Sequence, residues 1–196
     1  MKVGIIGKGN VGTAIAKGLT GKGYEIKFGH RDPKEPVAEA AKWGEIIVLA
    51  VPYLAISDAV KEIGSYADGK TLLDVTNVLG ANGDLAIGFN TSGAEELQKK
   101  LPKAHVAKAF NTVFAKNQST GRVGNEQLTL FVAADDSKAK QTVMQLGRDI
   151  GFKPVDAGHL SASRYLEPMG MFMINLAFQM GMGTDIGYKL VTASEK

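Results

Sequence analysis

Lys2-Val-Gly-Ile-Ile-Gly-Lys-Gly-Asn-Val-Gly-Thr-Ala-Ile-Ala16 opens the chain as a short apolar strand, a glycine-rich turn and the start of a helix. Gly7, Gly9 and Gly12 have the spacing by which a strand-to-helix turn holds the pyrophosphate of a dinucleotide. Gly7 permits the tight turn, Gly9 lets the backbone approach the phosphates, and Gly12 lets the helix press on the strand. Lys8, Asn10 and Val11 complete the loop. The helix that starts there offers unpaired N–H groups and a positive dipole end to an anion. A glycine triplet alone is weak evidence; between a strand and a helix it specifies a dinucleotide-binding fold.

The second strand, 25–29, carries the choice of dinucleotide. An NAD site usually ends this strand with a carboxylate for the ribose hydroxyls. Here Gly29 is followed by His30 and Arg31. Arg31 offers bidentate, charge-assisted bonds to a 2′-phosphate, with His30 and Lys8 as further donors. NADP(H) is the expected cofactor. The competing reading makes Asp32 a displaced ribose acid, but Asp32 stands directly before Pro33, as a turn or cap residue would.

The 196-residue chain is long enough for one well-buried domain with a terminal extension. It contains no cysteine, so disulfides, thiolate metal sites and cysteine nucleophiles are excluded. His30, His105 and His159 lack metal-ligand spacing, and no metal site is expected. The net charge of +3 comes from dispersed lysines, which suits a polyanionic small molecule better than a nucleic acid. Met1-Lys2 leads straight into the first strand with no leader, so a cytoplasmic location is expected.

Further strands are expected at 46–51, apolar throughout as in a strand buried on both faces, and at 71–75, 106–110, 128–132 and 153–156. Helices are expected at 37–43, 54–66, 94–101 and 137–150, with a glycine-rich loop from 77 to 93. The alternation predicts an α/β fold: a Rossmann-type, doubly wound, mostly parallel sheet over residues 1–157, with a C-terminal helical extension over 158–196.

That extension is apolar on nearly every side from Pro168 to Phe178 apart from Asn175, and is expected to be buried. Glu167, Asn175 and Gln179 interrupt it too often for a membrane span. Packing on the sheet or on a second subunit follows, so a homodimer or higher homo-oligomer is expected. Arg164 and Glu167 read as an ordinary intrahelical pair. Met171 and its neighbouring methionines offer polarizable surface for a flat ring, or plain core filling.

The chain resembles the NADP-dependent oxidoreductases that use the 8-hydroxy-5-deazaflavin coenzyme F420. The resemblance rests on Gly7-Lys-Gly-Asn-Val-Gly12, Gly29-His-Arg31, Ala50-Val-Pro-Tyr53, Phe110-Asn-Thr-Val-Phe-Ala115 and Asp156-Ala-Gly-His-Leu-Ser-Ala-Ser-Arg-Tyr-Leu-Glu167. It implies hydride exchange between NADP(H) and the deazaflavin, a small-molecule co-substrate, stacked in a cleft at the carboxyl ends of the strands. Lys8, His30 and Arg31 match 2′-phosphate positions; Val51, Pro52 and Tyr53 lie beside the phosphates and nicotinamide; Ala115 matches a backbone contact to the carboxamide. Two features depart from the family: a shorter span between the second and third strands, and His159 in place of a common proline. His159 is open to two readings, a substrate contact or an exposed loop residue.

Hydride transfer between stacked rings needs orientation and exclusion of water, not a catalytic acid/base pair, and no such pair is evident. Asn111 and Thr112, at a strand's carboxyl end, are candidate acceptor contacts together with Val113, Met171 and His159; Tyr53 and Lys108 are candidate polar groups at the site mouth. Two alternatives stay open: an NADPH-dependent reductase of a flavin, imine or ketone, and a non-catalytic module that senses NADP(H).

Overall fold

Five parallel strands form the centre of the molecule: β1 (Lys2–Ile6), β2 (Glu25–Gly29), β3 (Ile46–Leu49), β4 (Thr71–Asp74) and β5 (His105–Lys108). A two-residue-per-strand hairpin, β6 (Arg122–Val123) with β7 (Glu126–Gln127), lies outside this sheet. β8 (Thr129–Ala134) then joins β5 antiparallel, and β9 (Lys153–Gly158) runs parallel to β8, giving a seven-stranded sheet in the order β2-β1-β3-β4-β5-β8-β9. This computed structural model describes residues 1–193, so positions 194–196 of the expected extension lie outside the described residues.

Alternation along each strand divides the core between two faces. Ile5, Val48, Leu73 and Val132 meet α1 (Asn10–Leu19) and α6 (Ser137–Ile150) on one face. Ile6, Ile47, Leu72 and Val106 meet α2 (Val37–Trp43), α3 (Ile56–Ile63) and α4 (Gly93–Lys100) on the other. Local chemistry fixes several boundaries. Asp136 caps α6 by accepting the Ala139 N–H at 2.7 Å, and Gly151 at φ 125° ends it. Ser92 caps α4 by accepting the Glu95 N–H at 3.2 Å. The helix expected over 54–66 is shorter, with single 3-10 turns at Tyr53–Ala55 and Gly64–Ala67 on either side of α3. The strand expected over 106–110 stops at Lys108, and Phe110 turns the chain with φ 66°.

A four-residue helix, α5 (Ala115–Gln118), follows that turn. The C-terminal helix α7 (Ser163–Ile174) continues into one π turn at Asn175–Gln179. It is buried on one face and not all round. Leu166, Glu167, Gly170, Met173 and Ala177 face inward, while Tyr165, Phe172 and Phe178 are 66%, 56% and 67% exposed. Among the described residues no helix is long and apolar enough to cross a membrane.

Candidate functional site

Gly7 sits at φ 108° and donates its N–H to Gly29 O at 2.8 Å, tying the ends of β1 and β2 together. A side chain on Gly12 would overlap Gly7 O, so the approach of helix to strand requires glycine there. A side chain on Gly9 would meet no atom within 4 Å, because the space over the loop is open. Gly9 caps α1 with no side-chain bond, and the first turn holds no acidic residue. The positive end of the helix is therefore unquenched, as a bound pyrophosphate requires.

Two cavities flank this loop, where the strand order reverses between β1's neighbours β2 and β3. The larger, about 960 Å³, is lined by Lys8, His30 and Arg31, and on its α3 side by Asp58 and Glu62. The smaller, about 500 Å³, is lined by Asn10, Val11, Val75, Thr76, Asn77 and Leu79. Gly9, Val51 and Pro52 border both, and Tyr53 borders the smaller. Structure and sequence thus bring Gly7, Lys8, Gly9, Asn10, Val11, His30, Arg31, Val51, Pro52 and Tyr53 to one bipartite cleft, with Gly12 behind it.

The phosphate-side cations are not independent. The Glu35 carboxylate takes both Lys8, at 2.7 and 3.0 Å, and His30, and these bonds hold its own carboxyl below the ordinary range. Arg31 is exposed at the cavity wall. Asp32 is also exposed and accepts the Lys34 N–H at 2.9 Å, which makes it a turn former.

Beneath the smaller cavity lies a charge cluster that sequence reasoning missed. Lys108 is fully buried and not at the site mouth. Its Nζ donates to Asp74 Oδ2 at 2.9 Å and Thr76 O at 2.7 Å, and pairs with Glu167 Oε1 at 3.1 Å. Burial pushes the Lys108 ammonium down, but the Asp74 and Glu167 carboxylates outweigh it and leave its pKa raised. Glu167 also accepts the Gly93 and Ala94 N–H groups at the start of α4, at 2.8 and 3.1 Å. The expected Arg164–Glu167 pair is therefore absent: Glu167 faces inward, and Arg164 forks onto Glu95 at 2.7–3.2 Å. Asp74 Oδ1 accepts the Thr76 N–H at 2.9 Å, so the cluster sets the backbone that leads into the cavity. Burial, and next the Glu167 charge, raise the Tyr53 phenol. Thr76 Oγ1 and Asn77 Oδ1, both in cavity-lining residues, are buried with no hydrogen-bond partner.

The expected acceptor residues are distributed differently. Asn111, Thr112 and Val113 are buried, and neither they nor Met171 line either cavity. The space expected between 110–115 and the methionine-rich helix is closed by packing: Asn111 Nδ2 donates to Leu166 O at 2.7 Å, and Phe114 meets Phe178 edge-on at 6.0 Å. Gln118 Nε2 donates to Phe110 O and Val113 O, at 3.1 and 2.9 Å, and so holds the strained Phe110 turn. Ala115, half-buried, starts α5 and does not line the smaller cavity. His159 follows edge strand β9, five strand spacings or roughly 24 Å from β1, where its exposed ring reaches Asp135 at 3.2 Å. It stands apart from the cleft.

The family profile described as NADP oxidoreductase, coenzyme F420-dependent, matches residues 2–78, the segment that builds the cleft as far as Val78. The F420-dependent NADP reductase of Methanothermobacter marburgensis is 28% identical over 90% of this chain and 92% of its own. A crystal structure of a candidate F420-dependent NADP reductase from Arthrobacter sp. FB24 superposes with a TM-score of 0.91, at 26% identity, over 98% of this chain and 100% of that one. The profile match over residues 2–78 and the two reductases support this family for the chain. It is also 31% identical, over 88% of its length, to metalloreductase STEAP3 of Rattus norvegicus, of which it spans 37%.

Proposed function

We propose that the chain transfers hydride between NADP(H) and the 8-hydroxy-5-deazaflavin coenzyme F420. The observation that carries this reading is the bipartite cleft: a larger cavity with Lys8, His30 and Arg31 along one wall and a smaller, largely apolar one, joined across the Gly9 loop and the Val51–Pro52 segment. The first suits a phosphorylated adenosine, the loop a pyrophosphate, and the second a nicotinamide with an acceptor ring beside it.

When bound, the two coenzymes supply the hydride and its acceptor carbon. The chain's part is to bind, orient and exclude water. Lys8, His30 and Arg31 would take the 2′-phosphate; Gly7, Gly9, Asn10, Val11 and Gly12 build the pyrophosphate turn; Val51, Pro52 and Tyr53 would border the nicotinamide. Thr76 and Asn77, which line the smaller cavity, would border the carboxamide, whose contact the resemblance gives to the backbone at Ala115. Lys108, Asp74 and Glu167 act one layer below by fixing the Thr76 backbone. No acid/base residue is needed, because rate comes from close, ordered approach of two rings.

The STEAP3 relationship favours a second reading, in which NADPH oxidation feeds a metal-reducing system. Anaerobic oxidation of NADPH, followed at once with deazaflavin, with flavin mononucleotide and without acceptor, separates the two. Turnover with deazaflavin alone supports the first reading, and turnover with the flavin alone contradicts it.

A further inference from the structure

The 2′-phosphate ligands read from the sequence are Lys8, His30 and Arg31, yet two of the three are already held by a carboxylate of the same chain. Glu35 lies six residues beyond the end of β2. It is fixed by its own backbone: its N–H donates to Asp32 O at 2.9 Å and its carbonyl accepts the His30 N–H at 2.8 Å. From that small closed turn its side chain reaches back across the end of β2 to Lys8 in the glycine loop and to the His30 ring. Arg31 projects beside them into the same cavity wall. The carboxylate thus stands in for an anion at the point where the cofactor's phosphate is expected.

We infer that Glu35 is a specificity-determining residue that sets how strongly the site prefers NADPH over NADH. A 2′-phosphate carries about 1.5–2 negative charges near neutrality and competes with Glu35 for Lys8 and His30. It must displace the carboxylate or share its donors with a like charge, and either lowers phosphate affinity. A ribose with a 2′-hydroxyl meets no such competition. Glu35 accepts a hydrogen bond from that hydroxyl, the part usually played by an acid at the end of the second strand. Pro36 and α2 follow at once and hold Glu35 against the β2 end. The inference rests on the NADP(H) reading above.

The test compares the full chain with its Glu35→Gln variant, which keeps the shape and an acceptor oxygen but removes the charge. Binding of 2′,5′-ADP and of 5′-AMP, and of NADPH and NADH, is measured by calorimetry at fixed salt, after matched thermal melts confirm folding. Glu35→Gln is expected to tighten 2′,5′-ADP and NADPH by about 2- to 5-fold, the range of an exposed ion pair, and to leave 5′-AMP and NADH unchanged or weaker. An unchanged NADPH/NADH ratio, or a ratio that falls, overturns the role of Glu35 while leaving the NADP(H) reading in place. Failure of both proteins to bind 2′,5′-ADP overturns that reading and the inference with it. If Gln fails to fold, Glu35→Asp, which shortens the reach to Lys8 and His30, is expected to shift the ratio the same way by a smaller factor; no shift there counts against the inference.

Discussion

Lys108→Met leaves two carboxylates at the base of the cleft without their cation. Lys108, Asp74 and Glu167 have fully buried side chains, and the ammonium bonds or pairs at 2.7–3.1 Å with both carboxylates and with Thr76 O. Removing one partner of a buried ion pair costs about 3–5 kcal/mol, because the charge left behind is uncompensated. Here Glu167 keeps two N–H donors and Asp74 keeps one, so the cost belongs toward the lower end of that range. Against a typical total of about 5–15 kcal/mol, the variant remains folded but marginal. At roughly 2–4 °C per kcal/mol for a chain of this size, a cost near 3 kcal/mol should lower the melting temperature by about 6–12 °C. The lysine's pKa is raised in the fold, so its contribution is fully present below the unfolded value of about 10.4 and is lost as pH rises through the higher folded value. The gap between wild type and variant should therefore stay constant between about pH 6 and 9. Urea unfolding followed by circular dichroism at several pH values measures it. A loss below about 1 kcal/mol would show that the cluster is solvated and not buried, and would refute the reasoning.

Arg31→Ala should weaken NADPH by about 1.5–3 kcal/mol and leave NADH nearly unaffected, by calorimetry; equal losses would assign Arg31 a general role. Val113→Trp should overpack the core, since Val113 is only 6% exposed, and cost about 1–3 kcal/mol in urea unfolding; an unchanged midpoint would mean that open space adjoins it. The exposed Tyr165, Phe172 and Phe178 face predicts a homodimer or larger assembly by light scattering, shifted toward monomer by Phe172→Glu. Wild-type protein that is monomeric at micromolar concentration would count against it.

Local signals were legible in the sequence where they carry their own chemistry. The glycine loop and the 37–43 and 137–150 helices match the structure residue by residue. The direction of β8 was not legible, because hydrophobic periodicity has no sign, and strands as short as β6 and β7 carry no periodicity at all. At the site, Lys8 and Arg31 were legible as cations and His30 as a donor, but the capture of Lys8 and His30 by Glu35 was not, because a side chain's reach depends on a turn that the Asp-Pro sequence only hints at. Lys108, Asp74 and Glu167 meet from positions 34 and 59 residues apart, and only the assembled sheet brings them together. The expected Arg164–Glu167 pair failed because tertiary partners outcompete a helix-surface pair worth a few tenths of a kcal/mol. The expectation of a fully buried C-terminal helix treated composition as burial, whereas α7 has one face to offer α4 and presents the other outward.

Transfer of deuterium tests the proposed chemistry most directly. Purified protein is incubated anaerobically with oxidised deazaflavin and NADPH carrying deuterium at nicotinamide C4, in separate samples for each face, and the reduced deazaflavin is analysed by mass spectrometry. The label is predicted to arrive on a ring carbon of the deazaflavin from one face of the nicotinamide alone, at the rate of NADPH oxidation. Reduced deazaflavin without label from either face, or NADPH oxidation that proceeds equally well with no deazaflavin present, would contradict direct hydride transfer in this cleft.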